Sequence, residues 1–387
     1  MRVCFFAPTA YAYFRPNAAT WAGGAETQQV LVGRHLASKG VSVSFIVGDY
    51  GQRDIEVVDG ITLIKSFTPF KGNRKLRFLP DMLSIRRAMR AADADVYNQR
   101  STSFFTGQLA WFARRLGRAF TFSVGSDYNV YPDCQGNLPA AMAALYRWGI
   151  RRADAVIAQT EKQKRLLAEN FGREAVLIRN GVPIPDPSAA TVPPAPGSPE
   201  TGSGDGPAFL WVGGLRWMKR AELFVELARR VPETRFILVG GAVGDPAYYR
   251  SIKEKLREAP NVSQIDFVPP GEMDIYYRKA YALVNTSSLE GFPNTFLHAW
   301  AHGVPVLSLE IDPDDTIVRN RVGLVGGTIE GLAAAVRRLI ADPKERAEMS
   351  LRAAAYVRDH HDIRDRGDDY RRLFEKLASR VRPGAAR

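Results

Sequence analysis

One carboxylate stands alone in the stretch Ser287-Ser288-Leu289-Glu290-Gly291-Phe292-Pro293-Asn294-Thr295-Phe296-Leu297-His298-Ala299-Trp300. The Gly/Pro loop that carries Glu290 runs into a helical pattern near Asn294. A helix start offers free backbone amides and a positive dipole end, which together suit an anion. A phosphate there would repel Glu290 unless the carboxylate serves another group, such as sugar hydroxyls. The same residues also fit a loop cap and a plain turn, and spacing alone leaves both open. A second stretch, Trp211-Val212-Gly213-Gly214-Leu215-Arg216-Trp217-Met218-Lys219-Arg220, puts three cations within five residues at a helix start. Cations there oppose the helix dipole, so an anionic ligand would relieve them; a solvated basic turn is the alternative. A third, Gly23-Gly24-Ala25-Glu26, opens another helix after a long loop. Glycines allow backbone amides to approach a ligand closely. Tyr11, Tyr13, Phe14, Arg15 and Trp21 in that loop suit sugar stacking, and equally suit packing back onto the domain.

The elements that must position these groups alternate strand and helix. Strands are expected over 3–7, 41–47, 61–64, 96–98, 119–124 and 155–158. A helix over 24–39 carries Val30, Leu31 and Leu36 and ends at Gly40. Between 183 and 207 Pro, Gly, Ser, Ala and Thr dominate, which predicts a flexible linker over 184–206. A second series follows, with strands over 209–212, 235–239, 261–267, 282–286 and 304–309. Helices are expected over 220–231 and 295–302, and a helical tail over 332–380. Short apolar strands alternating with helices signal parallel, doubly wound sheets. The fold class is therefore α/β, with two Rossmann-like domains over 1–183 and 207–362. Such sheets bind ligands beyond the carboxyl ends of their strands, so both sites are expected to face a cleft between the domains.

The pattern Glu290-Gly-Phe-Pro-Asn-Thr, followed by Ala299-x-Ala-x-Gly-Val-Pro-Val306, resembles the donor-binding motif of retaining GT-B glycosyltransferases of family 4. In that motif a glutamate, seven residues and a second glutamate open the helix. The resemblance implies that Glu290 contacts donor sugar hydroxyls and that the amides around Phe292, Pro293, Asn294 and Thr295 hold the pyrophosphate. His298 stands at the second glutamate, which in the family binds the nucleotide ribose; histidine still hydrogen-bonds a hydroxyl. Lys219 falls on the lysine of the family's Gly-Arg-Leu-x-x-x-Lys motif. Gly214 occupies the arginine position, and Arg216 is expected to supply the missing charge. Gly23 and Gly24 match a Gly-Gly-x-Glu-like loop that faces donor phosphate and acceptor. Val124-Gly125-Ser126-Asp127 and Ile178-Arg179-Asn180-Gly181-Val182 resemble segments near the cleft. The first lacks the family's histidine, for which Ser126 or Asp127 could substitute, so Gly23, Ser126, Asp127, Tyr11 and Arg15 form the expected acceptor side. By the same resemblance the C-terminal helix, 363–387, crosses back to the first domain. The implied reaction is retaining, metal-independent transfer from a nucleotide-diphosphate sugar to a cell-surface glycan or lipid-linked acceptor. A catalytically silent GT-B scaffold that binds a glycan is the rival reading. A two-domain solute-binding protein is disfavoured because no export signal is apparent.

Composition bounds the rest. The 387 residues carry 53 Lys plus Arg against 41 Asp plus Glu, a net charge of +12. Such a balance points to polyanionic partners, yet no zinc-finger spacing, RNP-like motif or basic tail indicates nucleic acid. The N-terminal apolar run is too short for a secretory signal, and Pro8 ends it. Two cysteines make no disulfide framework, so a reducing cytoplasm is expected. No stretch approaches the ~20 apolar residues of a membrane helix. No cofactor or metal is expected. Asp93-Ala94-Asp95 precedes a strand, at the wrong end for a ligand, and His298 and His302 lack the third ligand of a zincin. Lys71, Arg74, Lys75, Arg77, Arg86, Arg87 and Arg90 interleave with Phe78, Leu79, Met82, Leu83 and Ile85. A basic amphipathic segment of this kind could lie on an anionic membrane, at the inner face, or simply solvate one helix face.

Overall fold

The computed structural model describes residues 1–15, 23–69, 74–134, 138–185, 206–268 and 270–380. Its contacts divide the chain into two compact units, Met1–Gly181 with Ile363–Arg387, and Val182–Asp362. The linker expected over 184–206 lies almost wholly outside the described residues, and so does Trp21. No helix among the described residues is long and apolar enough to cross a membrane.

The first unit is built on strands β1 (Arg2–Phe6), β2 (Ser42–Val47), β3 (Ile55–Val58), β4 (Ile61–Lys65), β5 (Val96–Arg100), β6 (Ala119–Ser123), β7 (Ala155–Ala158) and β8 (Val176–Leu177). Their order is β3-β4-β2-β1-β5-β6-β7-β8. All pairs are parallel except β3 with β4, which form an antiparallel edge. The central strands are buried on both faces because both faces are covered. Cys4 and Phe6 point into a core shared with α2 (Arg74–Ala92), α3 (Thr106–Arg115), α4 (Ala140–Arg152) and α5 (Glu161–Phe171). Val3 and Phe5 point into the opposite core, against α1 (Gly24–Ser38). The C-terminal helix, Ile363–Ala378, belongs to that second face. Phe374 lies edge-on to Phe5 at 6.3 Å, and Tyr370 and Leu377 are buried with it.

The second unit repeats the principle with β9 (Ala208–Val212), α6 (Ala221–Arg230), β10 (Arg235–Val239), α7 (Pro246–Leu256), β11 (Val262–Ile265), α8 (Met273–Lys279), β12 (Ala282–Asn285), α9 (Asn294–Ala301), β13 (Val306–Ser308), α10 (Thr316–Asn320), β14 (Gly323–Val325), α11 (Ile329–Ala341) and α12 (Pro343–His361). The strands run parallel in the order β11-β10-β9-β12-β13-β14. Chain order reverses between β9 and β12, so the loops after these two neighbours flank the switch point where such sheets bind ligands. The two motifs of this unit are those loops. Trp300 fastens α9 beneath them. It is fully buried, and its indole N–H donates to the Val322 carbonyl at 3.1 Å. Truncating such a side chain costs about 3–5 kcal/mol.

Candidate active site

The loop after β9 opens with a close backbone approach. A Cβ on Gly240 would stand 2.1 Å from the Gly213 carbonyl oxygen, so only glycine fits between these strand ends. The chain then turns through residues 216–219 into α6. Arg220, at the junction, is left-handed (φ 48, ψ 50). That conformation costs a non-glycine residue about 1–2 kcal/mol. Its side chain does not cap α6. It crosses to the loop after β12, where Nε donates to the Thr286 carbonyl at 2.6 Å and Nη2 to the Ser287 carbonyl at 3.0 Å. Glu310 pairs with the same guanidinium at 3.1 Å. Below it, the Trp211 indole donates to the Thr286 hydroxyl at 3.0 Å, and that hydroxyl lies 2.8 Å from the Lys219 carbonyl. The Ser288 amide donates to the Met218 carbonyl at 2.9 Å.

These bonds fix the two loops in register, and Lys219 and Glu290 meet as a result. Lys219 Nζ lies 2.5 Å from Glu290 Oε1, with side-chain exposures of 27% and 14%. Arg216, in the same turn, is exposed. Pro293 precedes the first residue of α9, Asn294, and the Phe296 amide closes the first turn onto the Pro293 carbonyl at 3.1 Å. Asn294 and Thr295 are half-buried there. The Phe292 side chain turns inward, 4.8 Å from the ring of His361 and 6.2 Å from that of Trp300, so this residue anchors the loop and has its main chain alone to offer.

His298 stacks on Tyr277 with ring centroids 5.6 Å apart, and His302 lies against the same tyrosine at 6.1 Å. His302 Nε2 faces Asp274 at 3.3 Å. Burial pushes the His298 imidazole down to about 4 against the opposing pull of Asp274, while the hydrogen bond from His302 holds the Asp274 carboxyl below its usual range. At neutral pH His298 is an uncharged ring. No group of three or more metal-ligating side chains occurs among the described residues. Asp93 and Asp95 instead staple the amino ends of β1 and β5. Arg118 reaches both, at 2.8 and 3.1 Å, and Arg2 pairs with both as well.

The first unit corrects several expectations for the acceptor side. Tyr11 is buried, stacks on Tyr50 at 5.6 Å and donates to Glu56 at 3.2 Å, so it offers no face to a sugar. Phe14 is buried against Phe45 at 5.2 Å, and Tyr13 meets the Thr27 hydroxyl at 2.5 Å. The aromatic loop packs inward because residues 10–13 form a short 3-10 helix that turns its rings onto β2 and α1. Arg15 is exposed, 3.9 Å from Glu56. Gly23 caps α1 and Gly24 begins it; the Gly23 amide donates to the Glu26 carboxylate at 3.0 Å. Ser126 precedes a helical turn whose Asn129 side chain accepts its amide at 3.0 Å. Asp127 is engaged by Lys162 at 2.8 Å and Gln163 at 2.9 Å.

Two family models match the chain. Glycosyltransferase Family 4 covers residues 22–184, and Glycosyl transferases group 1 covers residues 206–342. The chain is a family 4 glycosyltransferase.

Among its relatives is a D-inositol 3-phosphate glycosyltransferase of Kineococcus radiotolerans, 25% identical over 379 residues and covering 86% of each chain. It also resembles glycosyltransferase 1 domain-containing protein 1 of Xenopus tropicalis, 27% identical over 174 residues, which spans 44% of this chain and half of that protein. Sucrose-phosphate synthase from Thermosynechococcus elongatus shares the fold with a TM-score of 0.80 at 19% identity, over 98% of this chain and 100% of that one. The architecture of this glycosyltransferase is therefore GT-B. Sequence reasoning missed two of its residues. In the sequence Arg220 reads as one cation of a basic turn, whereas its left-handed backbone and long-range bonds make it a strap. Arg100, at the carboxyl end of β5, is buried and donates to Asn180 at 2.7 Å, and burial pushes its guanidinium below the usual range. Its signal was a lone cation ending an otherwise uncharged strand.

Proposed function

We propose that this glycosyltransferase moves a hexosyl group from a nucleotide-diphosphate sugar to a lipid-linked saccharide or cell-surface glycan, with retention of configuration and without a metal ion. One observation carries the reading. Lys219 and Glu290 meet at the carboxyl ends of β9 and β12, beside the first turn of α9. An incoming diphosphate competes for Lys219, and its charge draws the ammonium from Glu290. The freed carboxylate then accepts from donor sugar hydroxyls. Arg216 and the amides of Asn294 and Thr295 share the diphosphate, and neutral His298 serves the ribose. In the transfer step the bond from C1 to the leaving phosphate oxygen breaks. The acceptor oxygen bonds to C1 on the same face, and its proton passes to the leaving phosphate. Lys219, Arg216 and the helix dipole stabilise the departing diphosphate.

Two features support an acceptor at an anionic surface. One is the net charge of +12. The other is α2, which exposes Leu79, Leu83, Arg86, Arg87 and Arg90 while burying Ile85, Ala88 and Met89. Positions 79, 83, 86 and 90 fall on one helical stripe. Lys71 lies outside the described residues. The inositol phosphate named for a relative fits the same charge preference. We place the enzyme in the cytoplasm, held reversibly on the inner membrane face. A thermal-shift screen of nucleotide sugars, repeated in EDTA, tests the donor reading. A ligand at 100 times its dissociation constant adds about 2.7 kcal/mol, so a stabilising donor should emerge, and turnover with it should survive chelation. Turnover lost in EDTA and restored by manganese would overturn the metal-free mechanism.

A further inference from the structure

Arg220 takes a backbone conformation that favours glycine, and its side chain makes no capping hydrogen bond to α6. It spends its donors on the Thr286 and Ser287 carbonyls and on Glu310. Both carbonyls belong to buried residues, three and four positions ahead of Glu290. Lys219 is the immediate neighbour of Arg220. One guanidinium thus ties the backbone that carries the lysine to the backbone that carries the glutamate. We infer that Arg220 is a positioning residue for donor binding: it sets the distance between Lys219 and Glu290 without touching the donor.

The guanidinium reaches the Thr286 carbonyl from Nε and the Ser287 carbonyl and Glu310 from Nη2; a lysine ammonium must bring all its donors from one atom on a differently shaped stem. The inference rests on the donor-site reading above, so Lys219→Ala is included as its control. The full-length wild type, Lys219→Ala, Arg220→Gly and Arg220→Lys are titrated calorimetrically with UDP, GDP, ADP and dTDP, and with the sugar nucleotide of whichever binds. Melting temperatures are recorded for each.

Glycine accepts the left-handed backbone without strain, so Arg220→Gly should fold and melt within a few degrees of the wild type. Its affinity for the sugar nucleotide should nevertheless fall about tenfold, as expected for loss of charge-assisted hydrogen bonds. Arg220→Lys should not restore it. If the nucleotide affinity of both Arg220 variants equals that of the wild type while Lys219→Ala is weakened, the strap is merely structural and the inference is wrong. If the wild type binds none of the four, or Lys219→Ala binds as well as the wild type, the donor-site reading itself fails and takes the inference with it.

Discussion

The loops after β9 and β12 in the second unit, and those after β1 and β6 in the first, leave the same ends of their sheets. They use their side chains differently. In the second unit, backbone carbonyls and a guanidinium bind the loops to each other, and Lys219 and Glu290 are left facing one another. In the first unit the conspicuous side chains are already engaged. Tyr11 stacks on Tyr50, Phe14 is buried, and Asp127 is held by Lys162 and Gln163. The difference teaches that a binding site is recognised by what its own scaffold leaves for the ligand, and that residue type alone overstates the first unit.

The largest expected effect breaks the second unit's side of that contrast. Lys219→Ala and Glu290→Ala should each lower turnover by roughly 10²–10³, the range seen when one preorganised group is removed. Melting curves should show both variants folded. Wild-type rates from both would mean the pair is an ordinary ion pair.

The next test concerns the exposed face of α2. Replacing Arg86, Arg87 and Arg90 with glutamine should abolish co-sedimentation with anionic vesicles at low salt, since each basic residue near such a surface contributes about 1 kcal/mol. Wild-type binding should vanish in 1 M salt, where the Debye length is about 3 Å. Equal binding by the triple variant would leave α2 as a solvated face.

A smaller effect is expected from His298. Its imidazole titrates near 4 when folded and near its ordinary ~6.5 when unfolded. Between those values the unfolded chain binds more protons, so stability is full above about pH 6.5 and declines as pH falls toward 4. His298→Gln should flatten that decline in urea denaturation followed across pH. An unchanged slope would assign it to other groups. The smallest effect sharpens the contrast from the other side: Asp127→Asn keeps a partner for Lys162 and Gln163, and turnover should stay within about threefold of wild type, less than the ~1.4 kcal/mol that a tenfold change requires. A hundredfold loss would return Asp127 to the acceptor site.

Much of this was legible in the sequence because parallel strands buried on both faces read as short apolar runs. The strands over 155–158 and 235–239 are found at those residues, and most others shift by a residue or two. The Gly-rich and Gly/Pro loops also announced themselves, since each follows a strand and opens a helix. Other features were not legible. Strand β3 exposes Ile55 and Val57 at an edge, so it lacks the buried run of its neighbours. The inward turn of Tyr11 and Phe14 depends on a single 3-10 helical turn, which has no periodicity to detect. The Arg220 strap joins residues 66 and 67 positions apart through backbone carbonyls, and any residue type presents a carbonyl.

The C-terminal helix carries one more consequence, for the order in which the protein is made. The second unit is a single continuous segment, Val182–Asp362, and emerges complete from the ribosome. Most of the first unit precedes it, yet that unit needs Tyr370, Phe374 and Leu377 to cover the face formed by Phe5, Val30 and Leu36. At about 5–20 residues per second, synthesis of the intervening segment takes roughly ten to forty seconds. For that interval the first unit waits with an apolar seam open, and the unit translated first is the last to close.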